Sequence, residues 1–209
     1  FPTRRSSDLA VTFVGWGPEG RWLVSAAKDR VVRVWDLSTL SEKCTSAALA
    51  ASLEGAAAAS DGRWVASATN SGIRVWSVPD CAELDLATSE LARREYCQDV
   101  AFVPRGLVTL CGWNHIELWR LPGGQALAEA RNSADMLALS AARDADVVAA
   151  RERVGALRIW SMASATPTST AVLRLAEPGA VLADRGFTVT PDGRHAVAGV
   201  GREFMTWDL

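Results

Sequence analysis

A chain of 209 residues with 49% hydrophobic and 22% charged content has the make-up of an ordinary soluble globular domain with room for one sizeable core. Its formal net charge of −2 gives it no global electrostatic reason to seek phosphate backbones or anionic lipid, so neither nucleic acid nor membrane is expected as a partner. There is no apolar run of about 18 residues and nothing at the start reads as a secretory leader, so no transmembrane helix is expected and a cytoplasmic setting is the default.

Residues Phe1 to Leu9, FPTRRSSDL, match one translated frame of a widely used short-read sequencing adapter, and no initiating Met precedes them. They are expected to be an artefact, excluded from fold reasoning, on a reading frame cut at its 5′ side; the alternative is a basic linker with Arg4 and Arg5 solvated. The stretch Val11 to Asp36 then reads as three strands. Apolar residues from Val11 to Trp16 lead into GPEGR, a turn in which Pro18 presets φ and Gly20 accepts a positive one. Arg21 to Ala26 is a second strand, Lys28-Asp29-Arg30 a second turn, and Val31 to Trp35 a third strand rich in β-branched residues. A sheet of this kind cannot bury both faces alone, which predicts that copies of it stack on either side.

The copies are present. Trp35, Trp76, Trp119, Trp160 and Trp207 each close a short apolar strand, VVRVW, GIRVW, HIELW, ALRIW and EFMTW, at spacings of 41, 43, 41 and 47 residues. The turns GPEGRW, ASDGRW and TPDGRH precede three of them. On these residues the chain resembles the WD40-repeat β-propeller family from residue 10 to residue 209, with the Trp-Asp dipeptide kept at Trp35-Asp36 and Trp207-Asp208. The resemblance implies an all-β propeller of five visible four-stranded blades in one domain, at about 10–51, 52–94, 95–132, 133–179 and 180–209. The last blade ends after its third strand, so a part of a larger ring of about seven blades is expected.

Within the first blade, the outer strand is expected between Glu42 and Leu49. Asp29 stands where the family often carries a carboxylate that ties a Trp, a Ser or Thr and a His together; Trp35 and Ser25 can take part here, but no Gly-His occurs, and a partial structural tether is expected. The second blade opens on EGAAAAS, small enough for a crowded ring axis, with a helix as the alternative on propensity alone. Asn70 holds the place of Asp29. The third blade is the most divergent, with VPRGLVT for the usual turn and CGWNHIE for the second. Trp113 there is either folded over a neighbouring blade, the favoured reading, or exposed as a binding anchor. The fourth blade has Arg143-Asp144-Ala145-Asp146 in place of the glycine turn, too few carboxylates for a cation loop, and its charged Arg151-Glu152-Arg153 turn falls beside Trp113 if blades align.

Each third strand alternates: the residues one and three before the Trp are apolar in nearly every copy and share one face, and the Trp takes the other. Both faces must be covered by neighbours. Trp22 and Trp64 occupy matching second-strand places, and His195 stands in the third such place, so these are read as structural. Cys44, Cys81, Cys97 and Cys111 lack CxxC spacing and accompany only two histidines, His115 and His195, so no metal site and no cofactor are expected, and the cysteines are read as buried reduced thiols. No GxSxG, phosphate-cradling loop or HExxH is present.

The chain is therefore expected to be a non-catalytic scaffold that binds a protein or peptide. The turns between second and third strands share one rim, which makes Lys28, Asp29, Arg30, Asn70, Trp113, Asn114, His115, Arg151, Glu152, Arg153, Arg202 and Glu203 the candidate contacts, with Tyr96 on an adjoining loop. The alternative is a sensor or regulatory propeller of a larger signalling protein such as an NTPase or kinase. A propeller enzyme ranks last, because the inner strands bring almost no acidic or His residues to the axis.

Overall fold

A computed structural model describes residues 11–17, 20–46, 49, 52–78, 80–85, 96–174, 182–200 and 202–209; the FPTRRSSDL stretch and Pro18 lie outside these. The first sheet is β1 (Val11–Trp16), β2 (Trp22–Ala27), β3 (Val32–Asp36) and β4 (Ser41–Thr45), each antiparallel to the next. The second is β5 (Leu53–Ala58), β6 (Trp64–Thr69) and β7 (Gly72–Ser77), with a single bridge from Trp76 to Glu83 at its outer edge. The third is β8 (Cys97–Val103), β9 (Gly106–Cys111), β10 (His115–Arg120) and β11 (Gln125–Arg131), and the fourth β12 (Met136–Ala141), β13 (Val147–Glu152), β14 (Ala156–Ser161) and β15 (Thr168–Arg174). The fifth has three strands, β16 (Leu182–Val189), β17 (His195–Val200) and β18 (Glu203–Asp208). The described residues contain no α-helix, and the Ala run is strand β5.

The Asp-Gly-Arg repeats are turns for a local reason. Asp61 Oδ1 accepts the Arg63 amide at 2.9 Å and Asp192 Oδ1 the Arg194 amide at 3.0 Å, while Gly62 and Gly193 take φ of 74° and 73°. An Asp side chain closes the turn and Gly supplies the left-handed backbone.

Between the five sheets lie four apolar cores. Trp22, Val24, Val32 and Val34 of the first sheet meet Val65 and Trp76 of the second. Ala66, Ala68, Ile73 and Val75 of the second then meet Leu107 and Trp119 of the third. Val108, Leu110, Ile116 and Leu118 meet Val148, Ala150 and Trp160 of the fourth. Ala149, Leu157 and Ile159 meet Phe187, Val189 and Ala196 of the fifth. Trp76, Trp119, Trp160 and Trp207 thus point back towards the preceding sheet, and the alternate apolar pairs of the first four sheets point forward, as the period of two requires.

Inner strands are tied across the sheets by side chains. Asp99 of β8, fully buried, accepts the Leu139 amide of β12 at 2.9 Å, and Ser140 Oγ accepts the Val189 amide of β16 at 3.3 Å. Gly55 is where β5 approaches β8: a Cβ there would lie 2.0 Å from Asp99 Oδ1. Inner strands β1, β5, β8, β12 and β16 follow one another in chain order, but among the described residues the arc is not closed. Trp16 on β1 is 68% exposed and Phe204 on β18 is 83% exposed. An open arc is consistent with part of a larger ring.

One expectation is corrected. The four cysteines are paired, not reduced: Cys44 with Cys81, and Cys97 with Cys111. Strand register, not CxxC spacing, brings them together. Cys97 and Cys111 are direct partners across β8 and β9, and Cys44 on β4 meets the loop after β7, which staples the first sheet to the second.

Candidate functional site

The turn between β9 and β10 is left-handed at two successive residues, Gly112 with φ 60° and Trp113 with φ 70°. A positive φ is uncommon for a bulky residue and persists only where the surroundings over-determine it. They do so here. The Trp113 amide donates to Gln98 Oε1 at 3.1 Å, and the Trp113 carbonyl accepts the Met136 amide of the next sheet at 2.6 Å. Buried Gln98 also donates through Nε2 to the Tyr96 carbonyl at 2.5 Å, the same carbonyl that accepts the Gly112 amide at 3.1 Å. Tyr96, itself at φ 52°, donates its amide to the Asn70 carbonyl at 3.3 Å.

This backbone lattice holds two aromatic side chains outward. Trp113 is 43% exposed and Tyr96 65% exposed. Arg153, from the turn between β13 and β14, lies with its guanidinium carbon 5.2 Å from the Trp113 ring centroid, a cation–π stack, and its Nε donates to Asp135 Oδ2 at 3.2 Å. Trp113 is therefore half packed and half presented. Asn70, Tyr96, Trp113 and Arg153 form one ridge across the second, third and fourth sheets.

The remaining candidate contacts divide. Lys28, Arg30, Arg202 and Glu203 are exposed on turns of the first and fifth sheets, and Asn114 is half-buried beside Trp113. His115, Arg151 and Glu152 are corrected as surface contacts, because all three are buried. They sit at strand ends, His115 opening β10 and Arg151 and Glu152 closing β13. Glu152 instead joins two sheets: its Oε1 accepts Asn132 Nδ2 at 2.9 Å and Arg158 Nε at 2.6 Å. Asp29 is a structural tether, though to a different partner set from the expected one. Its Oδ2 lies 2.7 Å from an Arg33 nitrogen and its Oδ1 accepts the Val31 amide. The Arg33 hydrogen bond, ahead of an opposing desolvation, holds its carboxyl below the usual Asp value. Trp35 Nε1 donates to Ser25 at 2.8 Å, and Trp119 Nε1 donates to Thr109 at 3.0 Å in the matching place. His195 is partly exposed and 3.2 Å from Asp208.

Reading the sequence missed Gln98 and Asp135. For Gln98 the signal available was its place beside Asp99 in the otherwise apolar strand CQDVAFV. At the axis, a cavity of about 370 Å³ is lined by inner strands β1, β5, β8 and β12, with Phe13, Ala56 to Ala58, Val100 to Phe102 and Leu139 among its walls and Ser60, Ser140 and Arg143 as its polar side chains. Among the described residues no carboxylate or imidazole lines it.

Comparison with known proteins agrees with this architecture. Residues 3–36 match the family model described as WD domain, G-beta repeat. A chain in a crystal structure of a mitotic checkpoint complex superposes with a TM-score of 0.63 at 16% identity, covering 96% of this chain and 75% of that one. At that identity the likeness is one of fold: the sheets described here are those of a WD40-type propeller. No curated protein matches the sequence.

Proposed function

From the premise that this chain has the WD40-type propeller fold, a fold whose general role is protein interaction, we propose that it is a non-catalytic scaffold that binds a protein or peptide through the Asn70–Tyr96–Trp113–Arg153 ridge. The observation that carries this reading is the pair of outward aromatics on left-handed backbone, held by a buried Gln. A Trp and a Tyr fixed in advance lose little conformational freedom on binding, and Trp, Tyr and Arg are the residue types that dominate interface energies. Asp135 already holds the Arg153 head over Trp113, so a partner meets a preformed surface. The polar groups at the axial cavity, two hydroxyls and one guanidinium, supply no acid–base pair of the kind hydrolysis or proton transfer needs, which supports a binding role over an enzymatic one.

The test is selection of peptide binders from a display library on the full chain. Trp113→Ala should weaken selected binders by at least about 30-fold, the cost of a hot-spot residue, and Tyr96→Ala by less, with unchanged melting temperature. Binders that hold equally well to both variants would remove the ridge from the account.

A further inference from the structure

The third sheet departs from the others at one position on its third strand. Two residues before the closing Trp, the first, second and fourth sheets carry Arg33, Arg74 and Arg158, each beside carboxylates of its own sheet: Asp29 and Glu42, Glu83, and Glu152. The third sheet carries Glu117 there. Its direct cross-strand partner on β11 is a second carboxylate, Glu129. Like charges directly opposite each other destabilise an antiparallel pair, and a cation between them reverses that effect.

His115, two residues earlier on the same face of β10, brings its ring to the same place. Its Nε2 lies 3.3 Å from Glu129 Oε2 and 3.8 Å from Glu117 Oε1, and one ligand atom from each residue falls within 4.8 Å of the other two. The side chains of His115 and Glu117 are 11% and 1% exposed, and Glu129, at 69%, leaves the cluster open to solvent on one side. Arg131, opposite His115 in register, is exposed.

From this geometry we infer that His115, Glu117 and Glu129 form a site for a divalent transition-metal ion, with Zn²⁺ the best fit. Zinc binds imidazole nitrogen and carboxylate oxygen at about 2.0–2.2 Å in tetrahedral array, which places ligand atoms roughly 3.3–3.6 Å apart; the distance to Glu129 falls at the lower edge of that range and the distance to Glu117 just above it. One nitrogen and two oxygens are a borderline donor set, suited to zinc over the all-oxygen calcium or magnesium sites. The fourth position falls on the open side and takes water or a partner's side chain. The strand supplies the rigidity: two ligands at alternate places on β10 and a third across the ladder are fixed by the sheet itself. The missing sequence signal follows from this, because the third ligand comes from the neighbouring strand and not from a short spacing motif.

The experiment is calorimetric titration of Zn²⁺ into the full chain after chelation, repeated on Glu129→Gln and His115→Gln, with ring ¹⁵N spectra of the two histidines. The proposal expects saturable one-to-one binding, a shift of the His115 resonances alone (assigned with His195→Gln), and at least tenfold weaker binding in Glu129→Gln, since even groups outside the ligand shell cost about 10–100-fold. Glu129 is exposed, so that variant should melt like the parent when metal-free, whether or not His115→Gln folds. Absence of saturable binding, or equal binding by Glu129→Gln, overturns the site and leaves an ion pair between His115 and the carboxylates.

Discussion

The third sheet and the first sheet are built on the same plan and end up in different physical conditions. Trp119 on β10 is fully buried against the second sheet and hydrogen-bonded to Thr109, while the other face of its own sheet is covered by the fourth. Trp35 on β3 keeps the matching bond to Ser25 and is only half-buried, since no described sheet stands behind it. Yet the first sheet carries the Trp-Asp dipeptide and the family-model match, while the third lacks both the usual turn and the Asp. Motif quality and burial are thus separate properties. The motif is local, whereas burial is set by what stacks on either face.

Four perturbations sharpen this contrast. Trp119→Ala should cost about 3–5 kcal/mol, the range for emptying a well-packed aromatic site, and Trp35→Ala less than half of that; chemical denaturation of the two variants measures the gap, and equal losses would show that neighbours do not set the energetics. The next effect falls on the end sheet. With one side uncovered it is stapled through Cys44–Cys81, and a closed loop of 37 residues is worth about 3–4 kcal/mol in the chain-entropy account. Replacing both cysteines by Ser should therefore lower the midpoint by about that much and raise amide exchange in β1 to β4 ahead of β8 to β11.

A smaller effect separates the sheets by one hydroxyl. Trp160 Nε1 is buried without a hydrogen-bond partner. The place two residues beyond its cross-strand partner Val148, where the first and third sheets carry Ser25 and Thr109, is Ala150. Ala150→Ser should add about 0.5–1.5 kcal/mol and Thr109→Ala should remove about 1–3 kcal/mol; a destabilised Ala150→Ser would mean that the added oxygen does not fit. The smallest effect is a pH dependence at Asp29. Its folded-state value is lowered by Arg33, so its contribution is fully present above the unfolded Asp value near pH 4 and is lost as pH falls through the lowered one. Arg33→Met should lower stability modestly at neutral pH and flatten the acid limb of a stability-against-pH curve, the variant and parent curves converging at low pH.

The strands, their alternation and the placing of each closing Trp on the face opposite the apolar pair were legible because period-two patterning and Asp-Gly-Arg turns are local chemistry. What was not legible depended on register. The disulfides join residues that face each other across β8 and β9 or across two sheets. The burial of His115, Arg151 and Glu152 is set by packing around the ends of β10 and β13, where Glu152 reaches back to Asn132 at the end of the third sheet. Gln98, which aims Tyr96 and Trp113, sits in a strand whose spacing gives no hint of what its amide reaches. Trp113 illustrates both sides: its place in a turn was readable, while its stack under Arg153 required the fourth sheet to be in position.

The claim that neighbouring sheets decide which repeats are rigid is tested most directly by amide hydrogen exchange on the full chain, followed by mass spectrometry at peptide resolution. The account predicts that β9 and β10 exchange slowest and that β1 and β18 exchange first, with the ridge turns at Tyr96 and Trp113 protected beyond the turn of Lys28 to Arg30. Uniform protection across the five sheets, or a β1 as slow as β10, would contradict it.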